Sequence, residues 1–295
     1  MKPTDTFRLL ILTAVVLVTS LTMQAQDEVI RRRTTTTTTT RTTQRTTTTT
    51  RRQTQPIKPP KKSTATSQTF TVGGVTFKMI KVEGGTFTMG GTAEQGSDAY
   101  YYEKPTHRVT LSSYYIGETE VTQALWQAVM GNNPSNWKGS NLPVEQVSWE
   151  DCQNFVRELN RMTGKNFRLP TEAEWEFAAR SGNKTTGYKY SGSNAINKVA
   201  WYTSNSGSRT HEVKTKSPNE LGIYDMSGNV WEWCQDWYGD YSSSPQTNPT
   251  GASSGSYRVF RGGSWINLAG DCRVSFRSGD APSLQRSNLG LRLAL

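Results

Sequence analysis

Apolar and polar positions alternate with two different periods along this chain. Thr69 to Val72, Val75 to Val82 and Thr86 to Met89 alternate across glycine-rich turns and predict hairpin strands. Val109 to Leu111, Arg258 to Arg261 and Leu289 to Leu293 are shorter strand candidates. A helical period appears three times. Thr122 can cap a helix that places Leu125, Trp126, Val129 and Met130 on one side and stops at Gly131. Ser148 with Asp151 forms a capping box ahead of Cys152, Phe155, Val156 and Leu159, and Gly164 ends that helix. Thr171 with Glu174 repeats the box for a helix through Trp175 and Ala178 that ends near Gly182. Positions 183–220 and 239–257 have the composition of long loops.

The N-terminal part reads differently. Lys2 and Arg8 flank an apolar run from Leu9 to Leu21, followed by small and polar residues to Ala25. That run is too short for a stable span and predicts a signal peptide over 1–25, hence an exported, periplasmic, cell-surface or secreted protein that does not span the membrane. From Arg31 to Gln55 the chain is almost entirely Thr and Arg, with Pro56, Pro59 and Pro60 behind it. Such a segment buries nothing to offset its ordering entropy, so 26–68 is expected to be a disordered basic stalk or linker. Residues 69–295 suit one domain.

Charge sharpens this division. The net charge is +10, and positions 31–62 hold seven Arg and three Lys with no acidic residue, so the rest of the chain is close to neutral. The stalk could contact anionic cell-envelope polymers. No specific nucleic-acid binding is expected, because the basic segment has no aromatic residues for base stacking. Only two histidines are present, His107 and His211, and no nucleophile elbow lies near them, which argues against a Ser-His-Asp site. The three cysteines lack paired ligand spacing, which argues against zinc. No phosphate-binding glycine loop is present.

Five stretches carry a stronger signal: GGTFTMG (84–90), RLPTEAEWEFAAR (168–180), GNVWEWCQDW (228–237), RGGSWINLAGDC (261–272) and SNLGLRLA (287–294). Together, and in register from about Phe70 to the last residue, they resemble the sulfatase-modifying-factor family, which includes the formylglycine-generating enzyme. The resemblance implies a single α+β domain with little regular secondary structure, of formylglycine-generating-enzyme type and related to C-type lectins. It implies copper-dependent oxidation of a substrate cysteine to formylglycine by two cysteines. Cys272 falls at one of these positions and Asn267 at the other. A carboxamide is a poor ligand for soft copper(I), so high-affinity copper binding by this pair is expected to be lost.

The same resemblance places Ser264, Trp231 and Asn288 in the pocket. It also places calcium at Asp225, Gly228, Val230 and Glu232, an oxygen-only set suited to that ion. The family's structural disulfide positions fall here at Val156, Ala179, Arg277 and Leu293, so those bridges are absent. Cys272 is either a reactive thiol or a structural one paired with Cys152 or Cys234, Cys234 being the favoured partner. The pattern RGGSW, CR, LGLRL also resembles lectin-type domains varied by retroelements, which puts Trp265, Asn267, Asp271, Arg273, Ser275, Arg277 and Arg286 on a ligand face. Three functions remain open: an oxidase, a non-catalytic module that binds a ligand or protein at the cell surface, and a cell-envelope assembly component.

Overall fold

The computed structural model describes residues 67–295. The signal peptide and almost all of the stalk expected from the sequence lie outside the described residues. Ser67 and Gln68, expected in the linker, already belong to the first strand.

Three small sheets and three substantial helices make up the domain. The first sheet, in the order β1-β2-β5, contains β1 (Ser67–Val72), β2 (Val75–Val82) and β5 (Tyr114–Gly117). The second joins β3 (Gly85–Met89), β4 (His107–Leu111) and the two-residue β7 (Gln246–Thr247). The third, in the order β10-β6-β8-β9, contains β6 (Trp231–Trp237), β8 (Arg258–Arg261), β9 (Arg277–Asp280) and β10 (Leu289–Leu291). β6 pairs parallel to β10 and antiparallel to β8. Covered on both faces, β6 has no polar alternation, which is why its sequence does not announce a strand.

The helices start where their caps predict. α1 (Gln123–Met130) has the Thr122 side chain accepting from the Leu125 N–H and ends at Gly131, where φ is 75°. α2 (Trp149–Thr163) carries a complete Ser148/Asp151 box and ends at Gly164. α3 (Glu172–Ala179) carries the Thr171/Glu174 box. It stops before Gly182 because Ser181 takes the left-handed conformation first, with φ 68°. The loop expected over 183–220 contains one further turn of helix, α4 (Ile196–Val199).

α3 is buried on every side, although Glu172, Glu174 and Glu176 make up three of its eight residues. Each carboxylate meets an arginine. Arg277 grips Glu172 through two bonds of 2.7 Å, Arg168 grips Glu174 at 2.6 and 2.7 Å, and Glu176 takes Arg261 and Arg180. Elsewhere Arg273 pairs bidentately with Glu103 at 2.6 and 2.8 Å, and Arg292 with Glu232 at 2.6 and 2.9 Å. Arg261, Arg273 and Arg292 have no exposed surface. This corrects the expectation that Arg273, Ser275 and Arg277 lie on a ligand face: all three are buried, because carboxylates inside the domain need them as partners.

Removing one partner of such a pair strands the other in a dry interior. Arg273→Met is expected to destabilise the domain by about 3–5 kcal/mol, whereas Ser148→Ala should cost about 1 kcal/mol. Urea denaturation of the two variants checks this ordering.

Candidate functional site

The two C-terminal anchors of the third sheet build the site. β8 ends at Arg261, whose guanidinium bonds Glu176 and the carbonyls of Val274, Ser275 and Phe276. At the other end of the loop, Arg273 is locked to Glu103. Residues 262–272 are therefore held at both ends by buried ion pairs. Gly263, at φ 73°, lets the turn close on Cys272: a Cβ there would lie 2.6 Å from Cys272 Sγ.

Inside this loop a row of polar side chains forms. Asn288 Nδ2 donates to Ser264 Oγ at 3.0 Å, Ser264 Oγ donates to Asn267 Oδ1, and Asn267 Nδ2 donates to Asp271 Oδ2 at 3.1 Å. The Trp265 indole donates to the Ser287 carbonyl at 3.1 Å and meets Trp137 edge to face at 4.9 Å. Glu145, fully buried, accepts the Trp137 backbone N–H at 3.0 Å and so sets that partner in place. Burial pushes the Glu145 carboxyl up to about 7. On either side of Asn267, Ile266 and Leu268 are 55% and 69% exposed. Trp137, Ile266 and Leu268 were not anticipated as site residues. Two large aliphatic residues in an otherwise polar, glycine-flanked loop were the available signal.

The structure thus brings together Ser264, Trp265, Asn267, Asp271 and Asn288. It does not add Trp231, which is 6% exposed and packs against Phe260 and Phe276 in the core; its expected role as a ligand contact is corrected accordingly. Cys272 is fully buried beside Tyr190, Val199 and Tyr202. Burial pushes its thiol well above the usual range, the reverse of what a reactive thiolate needs. The favoured Cys234–Cys272 bridge does not form. All three cysteines are free, and Cys152, Cys234 and Cys272 lie in three separate hydrophobic clusters.

Of the residues expected to hold calcium, Asp225, Gly228 and Val230 lie in one tight loop, with φ of 58° at Asp225, 82° at Gly228 and 60° at Asn229, and Glu232 follows in β6. A Cβ on Gly228 would sit 2.3 Å from the Trp201 carbonyl oxygen. Glu232 accepts from Trp175 Nε1 at 2.6 Å as well as from Arg292. Asp225 Oδ2 accepts the Lys214 N–H at 2.9 Å. Glu120 accepts from Asn229 Nδ2 at 2.8 Å and from the Val230 N–H at 3.1 Å. Three buried carboxylates therefore surround one buried guanidinium. Burial, with the charge of Glu232 adding and Arg292 and Lys214 opposing, pushes Asp225 up to about 6, and burial pushes Glu120 well above its usual range. Among the described residues, no three His, Cys, Asp or Glu side chains converge as a metal cluster.

Residues 65–295 match the Sulfatase-modifying factor enzyme 1-like domain. The chain belongs to this family. A relative from Paenibacillus barcinonensis named chaperone protein LppX is 35% identical over 67% of this chain and 82% of its own length. The formylglycine-generating enzyme of Streptomyces coelicolor is 30% identical over 73% of this chain and 88% of its own. Among solved structures, Treponema denticola variable protein 1 is 39% identical, with a TM-score of 0.70 over 77% of this chain and 98% of that one. The family's mixed helix and sheet fold is therefore the fold of this domain. Among the described residues no helix is long and apolar enough to cross a membrane.

For this sulfatase-modifying-factor domain, iodoacetamide is expected to leave Cys152, Cys234 and Cys272 unmodified in the native protein. All three should be alkylated in urea without reductant. Peptide mass spectrometry reads both states, and native modification of Cys272 would contradict the burial described here.

Proposed function

We propose that this is an exported, non-catalytic member of the sulfatase-modifying-factor family that binds a protein segment through the Ser264–Asn267–Asn288 row. The observation that carries the reading is the tie of Asn267 to Ser264 and Asp271 at the position where the resemblance implies a copper ligand. Copper(I) favours soft thiolates, and a carboxamide committed to two hydrogen bonds beside a buried, protonated Cys272 does not fit it. What remains suits recognition. Carboxamide, hydroxyl and carboxylate groups can meet peptide N–H and C=O groups, while Ile266 and Leu268 offer exposed apolar contact. The relative named a chaperone protein supports engagement of another chain. The basic flank and apolar run at the N-terminus support export.

The test uses the full-length protein with copper(I), oxygen and a Cys-x-Pro-x-Arg peptide, read by mass spectrometry beside an Asn267→Cys variant. The expected result for the natural sequence is no aldehyde, and no copper(I) retained against a competing chelator. Conversion of the peptide cysteine to formylglycine would overturn the reading.

Calcium is proposed as a structural ion at Asp225, the Gly228 and Val230 carbonyls and Glu232. Its support is the surplus of buried carboxylates over guanidinium. Glu232 accepts three hydrogen bonds, which leaves about one of its four lone-pair sites free, so the ion would share this carboxylate with Arg292. The chemistry supplied is cross-linking of the loop and neutralisation of its charge. Saturating calcium, at about a hundred times its Kd, is expected to stabilise the fold by about 2.7 kcal/mol. Thermal unfolding with calcium and with chelator should show that gain, and Asp225→Ala should abolish it.

A further inference from the structure

Away from the Asn267 row, a cavity of about 200 Å³ is lined by α3, the end of β6 and the loop that follows it. Its wall includes His107, Glu172, Asp236, Trp237, Tyr241 and Arg277. Glu172 is committed, since Arg277 holds both of its oxygens and the Tyr241 hydroxyl donates to one of them at 3.0 Å. Two other polar atoms are not. Asp236 is 3% exposed; its Oδ2 accepts the Glu172 N–H at 2.9 Å, while Oδ1 has no hydrogen-bond partner among the described residues. His107 is 4% exposed and its Nδ1 lies 3.2 Å from the Pro105 carbonyl. That contact makes Nδ1 the donor; Nε2 has no partner among the described residues and accepts when the imidazole is neutral. Gly251, at φ 78°, closes the loop over Asp236 so tightly that a Cβ would lie 2.6 Å from the Asp236 Cβ.

With Asp236 ionised and His107 neutral, both atoms are acceptors that open on the cavity without a protein donor, and together they specify what can fill the space. An anion is disfavoured, because beyond the Glu172–Arg277 pair the wall offers it the carboxyl groups of Asp236 and Asp240 and no further Lys or Arg. A neutral hydroxyl brings one donor for two acceptors. A guanidinium brings five donors, of which this wall could meet only some. An ammonium brings three donors and the charge complementary to an ionised Asp236. The volume falls below the roughly 300–1,000 Å³ of sites for whole drug-sized ligands, so the occupant is a group the size of a side chain.

We propose that this cavity binds a primary ammonium group, from a free alkylamine or from a lysine side chain, through Asp236 and His107. The proposal is independent of the binding function assigned to the Asn267 row. It carries a proton signature. Asp236 faces Glu172 and Glu174 of α3, Arg277 of β9, Arg258 of β8, Arg168 and, across the cavity, His107. Burial, and then the charge of Glu172, push its carboxyl up to about 8. At neutral pH it is protonated in the free protein, and an arriving ammonium displaces that proton. Because the alkylamine itself stays charged, affinity rises as pH climbs through 8 and then levels off.

The experiment is isothermal titration of the full-length protein with n-butylamine and with the near-isosteric 1-butanol, at pH 7 in phosphate and in HEPES. Butylamine is expected to bind about tenfold or more tightly than butanol, with close to one proton released per amine. Affinity should rise roughly twentyfold between pH 6.5 and 8.5. Asp236→Asn keeps an acceptor for the Glu172 N–H and should lose the preference for amine, and His107→Gln should weaken it. Nα-acetyl-lysine amide distinguishes the two sources: binding of both amines points to a lysine side chain, binding of butylamine alone to a free amine. Equal binding of butanol and butylamine, no binding by the natural sequence, or binding without proton release would each overturn the proposal, whatever the variants do.

Discussion

Buried arginine–carboxylate pairing is the constraint on which this domain depends. α3 is surrounded by protein yet carries Glu172, Glu174 and Glu176, and the interior would be untenable without Arg277, Arg168 and Arg261. Desolvation costs each ion several kcal/mol, and the cost is recovered only through close, multiply bonded geometry. The pairs therefore act as specific links between distant parts of the chain. Arg273 reaches Glu103, Arg292 reaches Glu232, and Arg277 reaches Glu172. A domain with short strands and long loops gains from such links the definition that extended sheets give other folds.

The candidate site inherits its shape from two of these links. Arg261 and Arg273 stand at the ends of the loop that carries Ser264, Trp265, Asn267 and Asp271, so the polar row is presented from a frame with little freedom. Within that frame, the Asn267 carboxamide offers hydrogen-bond chemistry, where the resemblance implies a soft thiolate. Asn267 satisfies its own groups through Ser264 and Asp271. The buried Cys272 fills the space under Gly263.

The helices were readable because their signals are local. A capping box needs only four residues, and those at Ser148 and Thr171 formed as expected, as did the glycine stop signals at Gly131 and Gly164. The β1–β2 hairpin was readable for the same reason, whereas β3, expected to continue it, pairs with β4 in the second sheet instead. β5, β6, β7 and β9 were not anticipated. β6 is covered on both faces and shows no alternation, and β7 is two residues long and exists only because β4 lies beside it. At the site, the residues gathered in the loop after β8 were legible from the order of anchors, whereas Trp137 reaches Trp265 from a segment more than a hundred positions away.

The sequence by itself determined the family, the division between a basic N-terminal segment and a near-neutral domain, and the presence of Asn267 where a thiol was expected. These are properties of residue identity and order. Only the tertiary structure decided which charged residues face inward. Arg273 and Arg277 look like ligand contacts until Glu103 and Glu172 are placed opposite them, and Cys234 looks like a partner for Cys272 until the two occupy different clusters. The physical reason is that burial and pairing belong to residues brought together across the fold, and neither side chain of a long-range pair carries information about its partner in its own local sequence.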